Sequence, residues 1–121
     1  MIDTQSVITS KAGVQKIGKQ VSPELPKVKD ASINIRDRLD DILNDEKHNL
    51  VRYQIAVDEA IEPGLYKMLN DNKSKIQGAQ RRFFEQLFEL GEYQADVATK
   101  PQIADAVDMF LNYKSQFPYK Q

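Results

Sequence analysis

The sequence predicts an all-α fold in which two long helices form an antiparallel hairpin and a short C-terminal helix follows. Three features indicate this class. Two long segments repeat their apolar residues every three or four positions, as amphipathic helices do. Pro63-Gly64, a pair typical of chain reversals, stands between them. Thr99 then begins the pattern of a capped helix.

Residues 1–30 are predicted to be an N-terminal arm or a frayed helix. Their apolar residues keep a rough heptad spacing, at Val7, Val14, Ile17 and Val21. Gly13 and Gly18 weaken a helix here by about 1 kcal/mol each relative to alanine. Pro23 and Pro26 end it, because proline lacks the amide donor that a helix needs. A disordered tail is the alternative for this segment.

Residues 31–116 are predicted to form the hairpin domain. The first helix is expected from about Ser32 to about Ile61, with an apolar stripe of Ile35, Leu39, Ile42, Leu43, Leu50, Tyr53, Val57, Ala60 and Ile61. The second is expected from Leu65 to Leu90, with a stripe of Leu65, Met68, Leu69, Ile76, Ala79, Phe83, Leu87 and Leu90. Gly91 is suited to end it, since glycine adopts the left-handed conformation freely.

A short third helix is predicted after a connector at residues 92–98. Thr99 and Gln102 have the spacing of a capping box, and Pro101 suits the first turn of a helix. The apolar face of this helix consists of Ile103, Val107, Phe110 and Leu111. Residues 117–121 are predicted to be a tail.

Each long helix also carries a second apolar patch, away from its main stripe. The predicted partner-interaction patch consists of Val51, Ile55, Tyr66, Phe84 and Phe88. The third helix, the N-terminal arm or another copy of the chain must cover it. We expect a homodimer in which two hairpins complete a four-helix bundle, because this arrangement removes the exposure symmetrically.

Glu46 is the most informative single residue, since it lies within the apolar stripe of the first helix. An antiparallel hairpin places it opposite Gln80. One interpretation is a carboxylate metal site built from inward-facing acids. The other is a buried hydrogen-bonded pair of Glu46 and Gln80 that fixes the helix register. The metal site lacks ligands, because His48 points away from Glu46, and we predict no cofactor.

The composition argues against several classes of function. The chain of 121 residues has no cysteine, which excludes disulfides and thiolate chemistry, and it has a net charge of −1. Its charges are interspersed, so neither nucleic acid nor a membrane surface is a predicted partner. No apolar run approaches a membrane span, and no secretory signal is recognisable. No catalytic motif is present, so an enzyme is not predicted.

Three stretches of the sequence are similar to a known family. They are Leu43-Asn44-Asp45-Glu46-Lys47 followed by Tyr53, the hinge at residues 56–65, and the end of the second helix at residues 84–93. Together they resemble the spore coat protein F family of spore-forming bacteria. Glu92 stands where that family typically has an aromatic residue. The resemblance implies a ferritin-like helical bundle, no known enzymatic activity, and a place in or near the spore coat.

Two functions follow as hypotheses. The first is a non-enzymatic structural or assembly protein of the spore coat, or a sporulation-related paralogue. It would form a homodimer and bind other spore coat proteins, and it would otherwise remain in the cytoplasm where it is made. The alternative is a small ferritin-like protein that binds a metal or a ligand at Glu46.

Overall fold

The computed structural model describes residues 1–26, 28 and 30–118. In chain order its elements are β1 (Val7–Thr9), β2 (Gln15–Ile17), α1 (Ile35–Glu59), α2 (Pro63–Glu89), β3 (Ala95–Asp96) and α3 (Lys100–Tyr113), after which a 3₁₀ turn follows at Lys114–Gln116. The fold is mostly helical, as predicted, with a small three-stranded sheet. Of the predicted tail, residues 119–121 lie outside the described residues.

The helix α1 begins at a capping box. The Asn34 side chain accepts a hydrogen bond from the amide of Asp37 at 3.0 Å, and the Asp37 carboxylate accepts one from the amide of Asn34 at 3.2 Å. These two bonds satisfy amide donors that a helix start otherwise leaves unpaired. The helix therefore starts three residues later than predicted, at Ile35.

The chain reverses at Ala60-Ile61-Glu62, immediately before the predicted reversal at Pro63-Gly64. Pro63 is the first residue of α2, where proline costs nothing because its amide would have no helical partner. The Glu62 carboxylate caps the helix by accepting hydrogen bonds from the amides of Gly64 at 2.9 Å and Leu65 at 2.6 Å. These two bonds hold the pKa of Glu62 below its ordinary value.

The helices α1 and α2 lie antiparallel, and their core is concentrated at the end of the hairpin away from this reversal. There Leu39 and Leu43 of α1 pack with Leu87 of α2. Phe83, Phe84, Leu90 and Tyr93 surround these three buried leucines. Toward the reversal, Val57 is the buried apolar residue, whereas Ile61 of the predicted stripe is 96 % exposed in the turn.

The N-terminal segment forms strands, so the prediction of a frayed helix is wrong. The strands β1 and β2 pair antiparallel, and β2 also pairs with β3 from the connector. Gly13, at φ +85°, occupies the turn between β1 and β2 and donates a hydrogen bond to Ser10. A left-handed residue at this position favours a hairpin over a continuous helix.

The segment after β2 crosses the end of α2 at Gly91. This residue ends the helix with φ +82°, as the sequence predicted. Ser22 donates a backbone hydrogen bond to Leu90, and a Cβ atom on Gly91 would lie only 2.5 Å from the carbonyl oxygen of Gln20. The arm then places Leu25, which is 4 % exposed, in the core. Gly91 therefore meets a conformational and a steric requirement at once.

We expect Gly91→Ala to destabilise the fold more than Gly13→Ala does. Both residues have a left-handed backbone, which costs a non-glycine residue about 1–2 kcal/mol. Only Gly91 also touches the arm, since nothing lies within 4 Å of a Cβ atom at Gly13. Urea unfolding followed by circular dichroism measures both losses, and faster proteolysis within residues 1–26 should accompany the Gly91 variant alone. Equal losses for the two variants would contradict this account of the crossing.

Candidate interaction surfaces

The predicted pair of Glu46 and Gln80 is not buried in the single chain. Both side chains are half-buried, and among the described residues no polar or charged residue is fully buried. No hydrogen bond joins the two side chains in the described part of the chain. In a single copy the pair is therefore half-buried, because a two-helix layer leaves the middle of its seam open to water, and its burial in an assembled bundle stays a prediction.

Glu46 is not part of a multidentate acidic site either. Within the described ranges, no three or more histidine, aspartate and glutamate side chains are grouped as a metal ion would need. His48 is exposed on the outer side of α1. The geometry around Glu46 thus offers a half-buried carboxylate beside apolar residues, and no catalytic or metal-binding arrangement is built from it.

The predicted partner-interaction patch separates into two parts. Phe88 is buried, at 4 % exposure, and Phe84 is half-buried. The ring of Phe84 lies 4.6 Å from that of Tyr93, centroid to centroid. Ile2 and Ile17 of the N-terminal segment line the same hollow, which has a volume of about 330 Å³. The arm therefore covers the phenylalanine part of the patch.

The remaining part of that patch is uncovered, and we call it the outer patch. It consists of Val51, Ile55 and Tyr66, which are 60 %, 54 % and 48 % exposed. Gln54 identifies the side of the hairpin, because it accepts a hydrogen bond from Lys73 at 2.8 Å and donates one to Asp58 at 2.9 Å. Val51 precedes Asp58 by two turns and Tyr66 precedes Lys73 by two turns, so all three apolar residues share this side.

A second uncovered apolar surface, the open face, lies on the other side of the hairpin. It consists of Ile35, Ile42, Leu65 and Met68, which are 53 %, 36 %, 43 % and 54 % exposed. Ile35 and Leu39 form one wall of a groove of about 630 Å³, and Gln86 and Leu90 form the other. Met68 lies about five turns before Gln86 and so points to the same side. Glu46, one turn after Ile42, borders this face.

The helix α3 packs on no other helix or strand of the described chain. Its start is well formed, since Thr99 and Gln102 make both bonds of the predicted capping box, at 2.8 and 3.3 Å. The residues of its apolar face, which we call the α3 stripe, are Ile103, Val107, Phe110 and Leu111, at 53 %, 51 %, 64 % and 59 % exposure. The chain therefore builds an amphipathic helix and leaves its apolar side open.

A polar clasp joins the arm to the hairpin at its core end. The Arg36 guanidinium donates to the Glu92 carboxylate at 3.0 Å and to the carbonyl oxygen of Pro26 at 3.1 Å. Nearby, burial raises the pKa of Asp40 above its ordinary value, and Glu92 raises it further, while Arg36 opposes this effect. Glu92 thus serves as an ion-pair partner at a position where sequence comparison leads one to expect an aromatic ring.

The family assignment rests on the hairpin just described. A family model described as the Coat F domain matches residues 36–96, which is half of the chain. The chain belongs to the spore coat protein F family. The match begins at the second residue of α1 and ends with β3, so the Coat F domain is the hairpin with its connector. The arm and α3 lie outside this match.

One curated relative extends the similarity beyond the Coat F domain. The uncharacterized protein YusN of Bacillus subtilis (strain 168) is 25 % identical over 108 residues, which cover 88 % of this chain and 98 % of YusN. No solved structure matches the chain. Family membership makes this a spore-coat-related protein. In the described parts of this Coat F protein, no helix has the length and apolar character needed to cross a membrane.

We expect Asp40→Asn to stabilise this Coat F protein at neutral pH. Because the folded pKa of Asp40 is raised, the folded state binds its proton more tightly than the unfolded state does. The ionised side chain therefore lowers the free energy of unfolding above the folded pKa, and this cost disappears as the pH falls to about 4. The advantage of the variant should shrink over that range.

Urea unfolding at several pH values between 4 and 7 measures this effect. Asp41→Asn, at an exposed neighbouring position, is the matched control and should change the free energy of unfolding less. An Asp40 variant that is less stable than the parent protein at pH 7 would show that the Arg36 contact outweighs burial.

Proposed function

We propose that this protein is a non-enzymatic structural component of the spore coat that assembles through apolar helix surfaces left open in a single copy. Its membership of the spore coat protein F family supports the coat-related role. The observation that carries the assembly role is the open face, where four large apolar residues stay between 36 % and 54 % exposed along one side of the hairpin. Surfaces of this kind mark protein interaction sites.

The open face suits a second copy of the same hairpin. Two such faces would bury each other and complete a four-helix bundle, the arrangement of ferritin-like proteins. With 25 residues in α1, the face is about 38 Å long and about 18 Å wide. Each copy would then bury roughly 700 Å², so that the total lies in the usual range for stable interfaces, about 1,200–2,000 Å².

A metal- or ligand-binding role receives no comparable support. Glu46 lies in no group of three acidic or histidine side chains within the described residues. In the proposed dimer its carboxylate would become buried beside Ile42, where an unpaired charge is costly. The same residue therefore limits the strength of the dimer and does not build a site.

We expect a fluorescent fusion of the full chain to surround the developing spore in a sporulating Bacillus host. Spore coat residence requires recruitment to that surface by other coat proteins, which we propose as further partners. Time-lapse microscopy through sporulation measures the distribution, and the free fluorescent protein expressed from the same promoter is the control. Fluorescence that stays uniform in the cytoplasm until spore release would contradict coat residence.

We expect Met68→Glu to weaken the dimer by at least about tenfold, since it places a charge in the open face. Met109→Glu is the matched control, because Met109 is similarly exposed, at 48 % against 54 %, but lies on α3. Glu46→Leu should have the opposite effect and tighten the dimer, because it removes a carboxylate from the interface. Sedimentation equilibrium over a range of concentrations measures all three. A parent protein that stays a monomer at every concentration would rule out this dimer.

A further inference from the structure

We infer that α3 of one copy binds the outer patch of a second copy, with a lysine at one end of the α3 stripe meeting Asp58 and Glu59. This inference rests on the proposed assembly role and adds a second contact to it. The contact joins two different surfaces, whereas the dimer pairs the open face with itself. Its outcome can therefore be separated from that of the dimer.

The first step concerns why α3 needs a partner. It has 14 residues, and helices of that length are marginal on their own in water. Its stripe follows the spacing i, i+4, i+7 and i+8 from Ile103, which is the anchor pattern of helices that bind in the groove between other helices. Every residue from 98 to 118 is exposed. No surface of the described chain therefore stabilises this helix.

The second step concerns the charges at the ends of the stripe. Lys100 and Lys114 each lie two turns from Val107, on the same side of the helix. Neither lysine forms an ion pair within the described residues. Two α3 stripes cannot pair favourably, because an antiparallel pair centred on Val107 sets Lys100 against Lys114, and a parallel pair sets Lys100 against Lys100. This repulsion disfavours a second α3 as the partner and favours an apolar surface that ends in carboxylates.

The outer patch is such a surface. Ile55 is followed within about one turn by Asp58 and Glu59, both exposed, so the apolar patch ends at two carboxylates. The Asp58 carboxylate accepts a hydrogen bond from the side-chain amide of Gln54 at 2.9 Å. Its other oxygen can still bind a cation.

The groove of the open face also has carboxylates, Glu85 and Glu89, but Arg82 and the Met1 ammonium line it as well. Glu85 is already paired with Met1 and Arg81. The carboxylates at one end of the outer patch therefore attract a lysine of α3, and either Lys100 or Lys114 places Val107 two turns away, opposite Val51.

The consequence is an assembly that has no fixed number of copies. Because α3 and the outer patch are different surfaces, each contact leaves one free helix and one free patch for the next copy. A single contact by a helix of 14 residues is small, below the roughly 1,000 Å² of a stable interface, and so it is weak. Dimers carry two helices and two patches each, and repeated contacts of this kind strengthen one another.

Cysteine cross-linking tests this contact, because the chain contains no cysteine of its own. Val107→Cys protein is mixed with Val51→Cys protein under mild oxidation, and the disulfide-linked product is identified by non-reducing electrophoresis and peptide mapping. Disulfides form where the two Cα atoms come within about 7 Å, so the product reports direct contact. We expect at least about ten times more of it than with Met109→Cys, which lies on the far side of α3.

Charge reversal adds a test that unfolding cannot imitate. Asp58→Lys with Glu59→Lys, introduced into the Val51→Cys protein, should reduce the cross-linked product severalfold. Lys100→Glu with Lys114→Glu, introduced into the Val107→Cys protein, should then restore it. Loss without restoration, or equal cross-linking through Met109→Cys, would overturn the inference and point to a different coat protein as the partner of α3.

The cross-link and the sedimentation results separate the two proposals. A protein that sediments as a dimer but gives no product between positions 107 and 51 keeps the hairpin dimer and loses the α3 contact. A protein that gives this product but stays monomeric in dilute solution keeps the α3 contact and loses the open-face dimer.

Discussion

A hairpin of two helices buries residues only along the seam between them and leaves two sides of the pair exposed. The rest of the structure depends on how those two sides are covered. Each helix can bury only the residues that face its neighbour, and the apolar residues beside the seam need a third layer. The chain supplies that layer at one end only. There Phe83, Phe84, Leu90 and Tyr93 pack against Leu39, Leu43 and Leu87, which are 6 %, 1 % and 0 % exposed, and the arm crosses the adjoining end of α2.

The arm matters because it converts one end of the hairpin into a core. It crosses Gly91 at a distance that no side chain tolerates, it inserts Leu25, and its Pro26 carbonyl oxygen accepts a hydrogen bond from Arg36. The same Arg36 reaches Glu92, so one guanidinium connects α1, the arm and the connector. Charge-assisted hydrogen bonds of this partly buried kind are stronger than exposed ion pairs. Toward the reversal the described residues form no such layer, and Leu65 and Met68 stay exposed there although Val57 is buried.

The features that the sequence predicted correctly are those with local causes. The two long helices, the third helix, the capping box at Thr99 and the end of α2 at Gly91 each follow from residues a few positions apart. The sheet was missed because its strands are two or three residues long and because β2 pairs with β3 across almost the whole hairpin. Signals this short cannot be told from loops, and pairing over such a separation leaves no pattern in sequence.

The sequence predicted which apolar residues form the candidate surfaces, but it did not predict which of them other parts of the chain cover. Helical spacing identified Val51, Ile55, Tyr66, Phe84 and Phe88 as apolar residues away from the main stripe. It could not show that the arm covers Phe84 and Phe88, because that cover comes from residues 2 and 17 through a sheet that the sequence did not reveal. Glu46 stays half-buried in a single copy for a related reason. Lying opposite Gln80 brings two side chains near each other, but burial needs a further layer on top.

The two open surfaces on the hairpin differ in a way that bears on assembly. The open face is long and suits a copy of itself, so pairing there closes on a dimer and stops. The outer patch is short and ends in carboxylates, and it suits a surface unlike itself, so contacts there can continue from copy to copy. Each surface is also individually weakened, the first by Glu46 and the second by its small area. In the proposed assembly, hairpin dimers would stay separate in dilute solution, and the α3 contacts between them would reinforce one another where many copies are concentrated on one surface.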